Sequence, residues 1–146
     1  MTGLRGIGGG GDITYLESTW TPVATLNGGS GNTVPVYTTN QGIYTRVGRL
    51  VHIDIYLADD GGAEGAGTGV IYLTLPITPA ANHSGWYQPV GTAKNGSSLY
   101  GLMGAFSASN GLVLGYSSSA TAISDFTGAL QNNTSRHIQI NAWYRI

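Results

Sequence analysis

The stretch HIQINAWYRI at 137–146 limits what this chain can fold into more than any other. Ile138, Ile140, Ala142, Tyr144 and Ile146 alternate there with His137, Gln139, Asn141, Trp143 and Arg145. Successive side chains of an extended strand point to opposite faces, so this order turns one apolar face to a core and one polar face away from it. It predicts a strand that ends on a core residue, with the C-terminus tied into a sheet. The same period of two recurs along the chain, and no stretch sustains an i, i+3, i+4, i+7 apolar stripe over three turns. An all-β fold is expected.

Alternation and composition place strands at 19–26, 35–39, 43–47, 50–58, 69–75, 88–94, 99–106, 112–116, 121–126 and 137–146. Between them lie LNGGSGN, DDGGAEGAG, KNGS, SNG and LQNNTS, rich in residues that accept positive φ or bond their own backbone. Asn95-Gly96 and Asn110-Gly111 are the most explicit hairpin signals and point to type I′ turns. About ten short strands near ten residues apart suggest an antiparallel sandwich, jelly roll or barrel rather than a parallel sheet. A length of 146 residues suits one domain.

In GIYTRVGRLVHIDIYL, residues 42–57, the alternation predicts Ile43, Thr45 and Val47 on one short face and a turn at Gly48-Arg49. Val51, Ile53, Ile55 and Leu57 then form the apolar face of the next strand, with Tyr44, Arg46, His52, Asp54 and Tyr56 sharing the opposite side.

Charged residues make up only 9% of the chain, against roughly 25% in an ordinary soluble domain. Its surface must therefore be built largely from Ser, Thr, Asn, Gln and Gly. A formal net charge of −1 and a pI near 6.2 provide no electrostatic footprint for nucleic acid or an anionic membrane, so neither partner is expected. The absence of cysteine excludes disulfides, Cys-ligated metals and thiol nucleophiles. With no apolar run of signal-peptide or membrane-spanning length, the expectation is a soluble protein made in the cytoplasm.

Few residues suggest chemistry. Gly6, Gly8 and Gly11 fit G-x-G-x-x-G, but no βαβ unit surrounds them. His52 and Asp54 share a strand face without an evident third metal ligand. Asp59, Asp60 and Glu64 lie in DDGGAEG, which lacks the regular spacing of a calcium loop and leaves at most a weak site. No G-x-S-x-G elbow or privileged carboxylate pair is legible, so neither catalysis nor a cofactor is expected. Trp86, Tyr87, Tyr100 and Tyr116, near turns, are the candidate glycan contacts, weighed against a place in the core or a subunit interface.

Residues 1–17 read as a glycine-rich arm ahead of a domain at 18–146. Leu4, Arg5 and Ile7 stand among Gly6, Gly8, Gly9, Gly10 and Gly11, a composition that nucleates neither strand nor helix.

Five segments occur in order: STWTPV (18–23), GIYTRVGRLVHIDIYL (42–57), IYLTLP (71–76), DFTGAL (125–130) and HIQINAWYRI (137–146). Together they resemble a family of small phage virion domains with a G-x-W-T-P-x entry strand, a Y-T/x-R/K-x-G-x-x-V hairpin, a strand ending in Leu-Pro, and a closing I-x-I-x-G-x-Y strand. Thr19 stands where that family's glycine precedes its tryptophan, and Ala142 stands near its late glycine. The resemblance implies a trimeric jelly roll of about 8–10 strands, used as a capsid cement protein, head fibre or tail-fibre tip.

Only a short arm precedes the domain, which favours a stand-alone cement (decoration) protein on the outer capsid surface. Its partners would be itself, as a homotrimer, and the major capsid protein. The arm, through Leu4, Arg5, Ile7, Gly8, Gly9 and Gly10, is the expected capsid anchor. Tyr44, Arg46, His52 and Asp54 are the expected trimer contacts. The alternative is a receptor- or glycan-binding fibre tip that takes a host-surface glycan.

Overall fold

The computed structural model describes residues 14–59, 61–80, 87–109, 111–120 and 122–146. Ten strands run in chain order: β1 Tyr15–Trp20, β2 Ala24–Asn27, β3 Thr39–Val47, β4 Leu50–Asp59, β5 Val70–Leu73, β6 Gln88–Asn95, β7 Ser98–Ser107, β8 Gly111–Ser119, β9 Ala122–Asp125 and β10 Arg136–Arg145. Among the described residues a short 3-10 turn covers Gly128–Gln131. The all-β expectation holds.

Every strand pairing is antiparallel, in the order β1-β3-β4-β10-β6-β7-β8-β5-β2, with β9 also on β8. The two ends of that path are joined by only Thr21, Pro22 and Val23. Four Cα steps span at most about 14 Å, so the sheet must curl until its first and last strands nearly meet. Thr74 ties β1 to this end: its carbonyl accepts the Trp20 Nε1–H at 3.4 Å, while its own N–H donates to the Val23 carbonyl at 3.0 Å and its hydroxyl accepts the Val23 N–H at 2.9 Å, continuing the β2–β5 ladder.

Curling gives a sandwich-like body whose inner surface is one core. Val51, Ile53, Ile55 and Leu57 of β4 and Ile138 and Ile140 of β10 meet Leu73, Leu102, Leu112, Leu114 and Phe126 there. Phe106 stacks on Tyr144 with ring centroids 4.9 Å apart. Each such aliphatic burial contributes about 1.5–3 kcal/mol before entropy is counted.

Several boundaries differ from the sequence expectation. The strand expected at 19–26 is two, β1 and β2, because buried Pro22 has no N–H for a ladder. Residues 34–38, expected in part as a strand, form no ladder; Val36 is held by its N–H to the Ala63 carbonyl at 3.0 Å. β1 begins at Tyr15, paired with Val47, so residues 15–17 join the sheet rather than the arm.

The β6–β7 turn encloses Gly96-Ser97, with Asn95 paired to Ser98, so it lies one residue later than the Asn95-Gly96 motif suggests. Gly48, φ +59, leads the β3–β4 turn in the same way, and no described non-glycine residue has positive φ. Positive φ at the first central residue alone matches type II′ rather than type I′.

Candidate functional site

The two-residue β3–β4 turn fixes register, and register decides which side chains can act together. Val47 opposes Leu50, Tyr44 opposes Ile53, and Arg46 opposes Val51. Tyr44 and Arg46 therefore share the inner side with core residues, whereas Ile43 and Thr45 lie outward with Asp54 and His52. This corrects the expected faces of residues 42–57. Ile43 is half exposed, and the quartet of Tyr44, Arg46, His52 and Asp54 divides into two pairs on opposite sides of the sheet. Tyr44 packs edge-on against Trp20 at 6.0 Å, and Arg46 donates its Nε–H to the Gly48 carbonyl at 2.8 Å, bracing its own turn.

The outer face of β1, β3, β4 and β10 is built in cross-strand rows. Tyr15, Val47, Leu50 and Arg145 form the first; Glu17, Thr45, His52 and Trp143 the second; Thr19, Ile43, Asp54 and Asn141 the third; Gln41, Tyr56 and Gln139 the fourth. Six of these are large apolar or aromatic side chains, Tyr15, Ile43, Val47, Leu50, Tyr56 and Trp143, exposed by 39% to 53%. The His52 ring lies 4.6 Å from that of Trp143, and its Nε2 is 3.0 Å from Asn141 Oδ1. The Glu17 carboxylate accepts the Tyr15 hydroxyl at 2.9 Å, and this bond, with the nearby negative charge, holds the phenol above its ordinary pKa. Such a face offers apolar area, ring surfaces and a few hydrogen-bonding groups.

The glycan candidates are likewise dispersed. Tyr100 and Tyr116 are half-buried and meet edge-on at 5.4 Å, each also against buried Phe126, so they close the core. Tyr87 remains exposed at the start of β6; partial burial, then the Asp125 carboxylate, push its phenol up. Trp86 lies outside the described residues, as do Leu4, Arg5, Ile7, Gly8, Gly9 and Gly10 of the expected anchor.

The acidic loop serves the core. Asp59 and Arg136 are cross-strand neighbours, both fully buried, with Nη2 2.7 Å from Oδ2. The same Nη2 lies 2.6 Å from the Val36 and Ala63 carbonyls, and Nη1 donates to the Asn133 carbonyl at 2.7 Å. Three acceptors thus share the two protons of Nη2. Asp59 also accepts the Gly62 N–H at 2.7 Å. Beside them, buried Gln131 accepts the Tyr37 hydroxyl at 3.0 Å, and the Arg136 guanidinium sits 5.6 Å above the Tyr37 ring. This polar plug ties three loops to one end of the core. It engages the carboxylate of Asp59; Glu64 points to solvent, Asp60 lies outside the described residues, and no metal-binding cluster of three occurs among the described residues.

Sequence reasoning missed both the plug and Trp143 as part of an apolar face. Each had a signal. Asp59 continues the inward series from Val51 to Leu57, Arg136 precedes Ile138 by two, and Trp143 is an indole on the polar side of its strand.

No protein-family model matches the chain, and no curated protein matches it either. The fold and this face define an all-β domain of one curled antiparallel sheet with an apolar outer face.

Proposed function

We propose that this chain is a structural protein of a phage virion: a homotrimeric jelly roll of the cement or decoration type, bound to the major capsid protein on the outer capsid surface and stabilising the shell. The observation that carries the reading is the outer face of β1, β3, β4 and β10. Six large apolar side chains stand exposed in adjacent rows there, the kind of surface that marks a protein–protein contact. Among the described residues β1 pairs only with β3, which leaves its other side as a sheet edge beside that face. Packed about a threefold axis, the face and edge are covered by one repeated contact. The ordered motifs from STWTPV to HIQINAWYRI support the virion assignment, and the sparse charge suits a protein whose flanks meet sister subunits.

Light scattering on the purified chain should report a trimer, and the double variant Leu50→Ser/Trp143→Ser should shift it to monomer while thermal melting stays cooperative. Deleting residues 1–11 should leave the trimer intact and abolish co-sedimentation with capsid shells. A monomeric parent at assembly concentrations sinks the trimer, and full capsid occupancy by the truncated chain sinks the anchor.

A further inference from the structure

A second surface lies on strands the outer apolar face does not use. On the outward side of β2, β5 and β8, bounded by residues 74–79, residues 107–109 and Gly111, runs a groove of about 480 Å³. That is within the roughly 300–1,000 Å³ of small-ligand clefts. Thr25 and Tyr72 are cross-strand partners, so a hydroxyl stands beside the ring. Asn27, Thr74, Thr78 and Ser107 continue the lining with Leu26, Leu75 and Pro79, and among the described residues no Asp, Glu, Lys, Arg or His lines it.

We infer that this groove binds a neutral oligosaccharide. A wall without carboxylate or imidazole has no ligands for a metal, and one without cations has nothing to hold phosphate. Hydroxyls and an amide both donate and accept, which matches the hydroxyls of a sugar in either direction. The Tyr72 ring supplies an apolar surface for the C–H face of a pyranose, with its own phenol at the edge. Thr25, Asn27 and Thr78 are exposed, so their groups meet a ligand without unfolding anything. An extended peptide added along the open edge of β2 is the competing occupant, but it needs backbone pairing rather than a hydroxyl-lined wall.

The test is amide-resolved NMR titration of the full chain with three probes: maltotetraose, a tetramer of N-acetylglucosamine and tetragalacturonate. At least one neutral probe should move the amides of Thr25, Asn27, Tyr72 and residues 74–78 and 107–111, and tetragalacturonate should bind more weakly. Thr25→Ala/Asn27→Ala, both exposed sites, should weaken binding about tenfold with the spectrum otherwise unchanged. Thr78→Trp should abolish binding by filling the groove. Silence from both neutral probes at millimolar concentration, shifts centred elsewhere, or equal binding by all variants overturns the inference, as does a strand-forming peptide that alone shifts these amides. Trimer mass and capsid binding are read separately, so either proposal can fail without the other.

Discussion

Asp59→Asn is the sharpest probe of how this fold is held together. It removes one charge of a pair whose two side chains are 0% exposed and leaves the Arg136 cation in the core. Breaking a buried pair from one side costs about 3–5 kcal/mol, because the remaining charge is uncompensated. Here Arg136 keeps its bonds to the Val36, Ala63 and Asn133 carbonyls, which disperse the charge and place the loss at the lower end, about 3 kcal/mol. Arg136→Met strands the Asp59 carboxylate and also strips three carbonyls of their donor, so its loss reaches about 5 kcal/mol or prevents folding. For a domain of this size, 3 kcal/mol lowers Tm by about 6–12 °C. Asp59→Asn/Arg136→Met removes both charges and should lose clearly less than the sum of the single variants. Thermal and urea melts of the four proteins measure this cycle. An Asp59→Asn melt within about 2 °C of the parent, or strictly additive losses, refutes the claim that the pair is a coupled element of the core.

Two further predictions concern the aromatic groups. Burial raises the Tyr37 and Tyr144 phenols above the ordinary value of 10.0, so the folded state holds their protons longer than the unfolded chain does. Their contribution to stability is complete below pH 10 and is lost as pH rises through the folded values; phenolate absorbance should show these two ionising only with the loss of circular dichroism, and all nine tyrosines titrating together in a native spectrum contradicts it. Gly42 leaves room for an indole: a Cβ there lies 2.7 Å from Trp20 Cδ2, whereas one at Gly101 meets nothing within 4 Å. Gly42→Ala should therefore cost about 1–3 kcal/mol and alter tryptophan fluorescence, with Gly101→Ala as the silent control; equal melts for the two would remove the packing role of Gly42.

The period of two carried most of the fold. It set the β class, the inward series Val51 to Leu57 and Ile138 to Tyr144, and the positions of most turns, because strand geometry ties side-chain direction to sequence parity alone. Parity within one strand, however, says nothing about how two strands are offset. Only the Gly48-Arg49 turn, by opposing Val47 to Leu50, determined that Tyr44 lies with Ile53 and Ile43 with Asp54. A turn one residue longer reverses every such assignment.

Partnership was likewise decided in three dimensions. Asp59 and Arg136 stand 77 positions apart in the sequence (136 − 59), and parity points both inward, but only the β4–β10 register makes them neighbours and a core ion pair. The groove at Tyr72 draws residues from three separate segments and has no local motif. The sequence by itself determined which residues alternate and where the chain can turn, since those follow from bonds between neighbours. Which faces meet, which charges pair and which aromatics remain outside came from curling the sheet until three residues bridge the end of β1 and the start of β2, a global closure that no local pattern encodes.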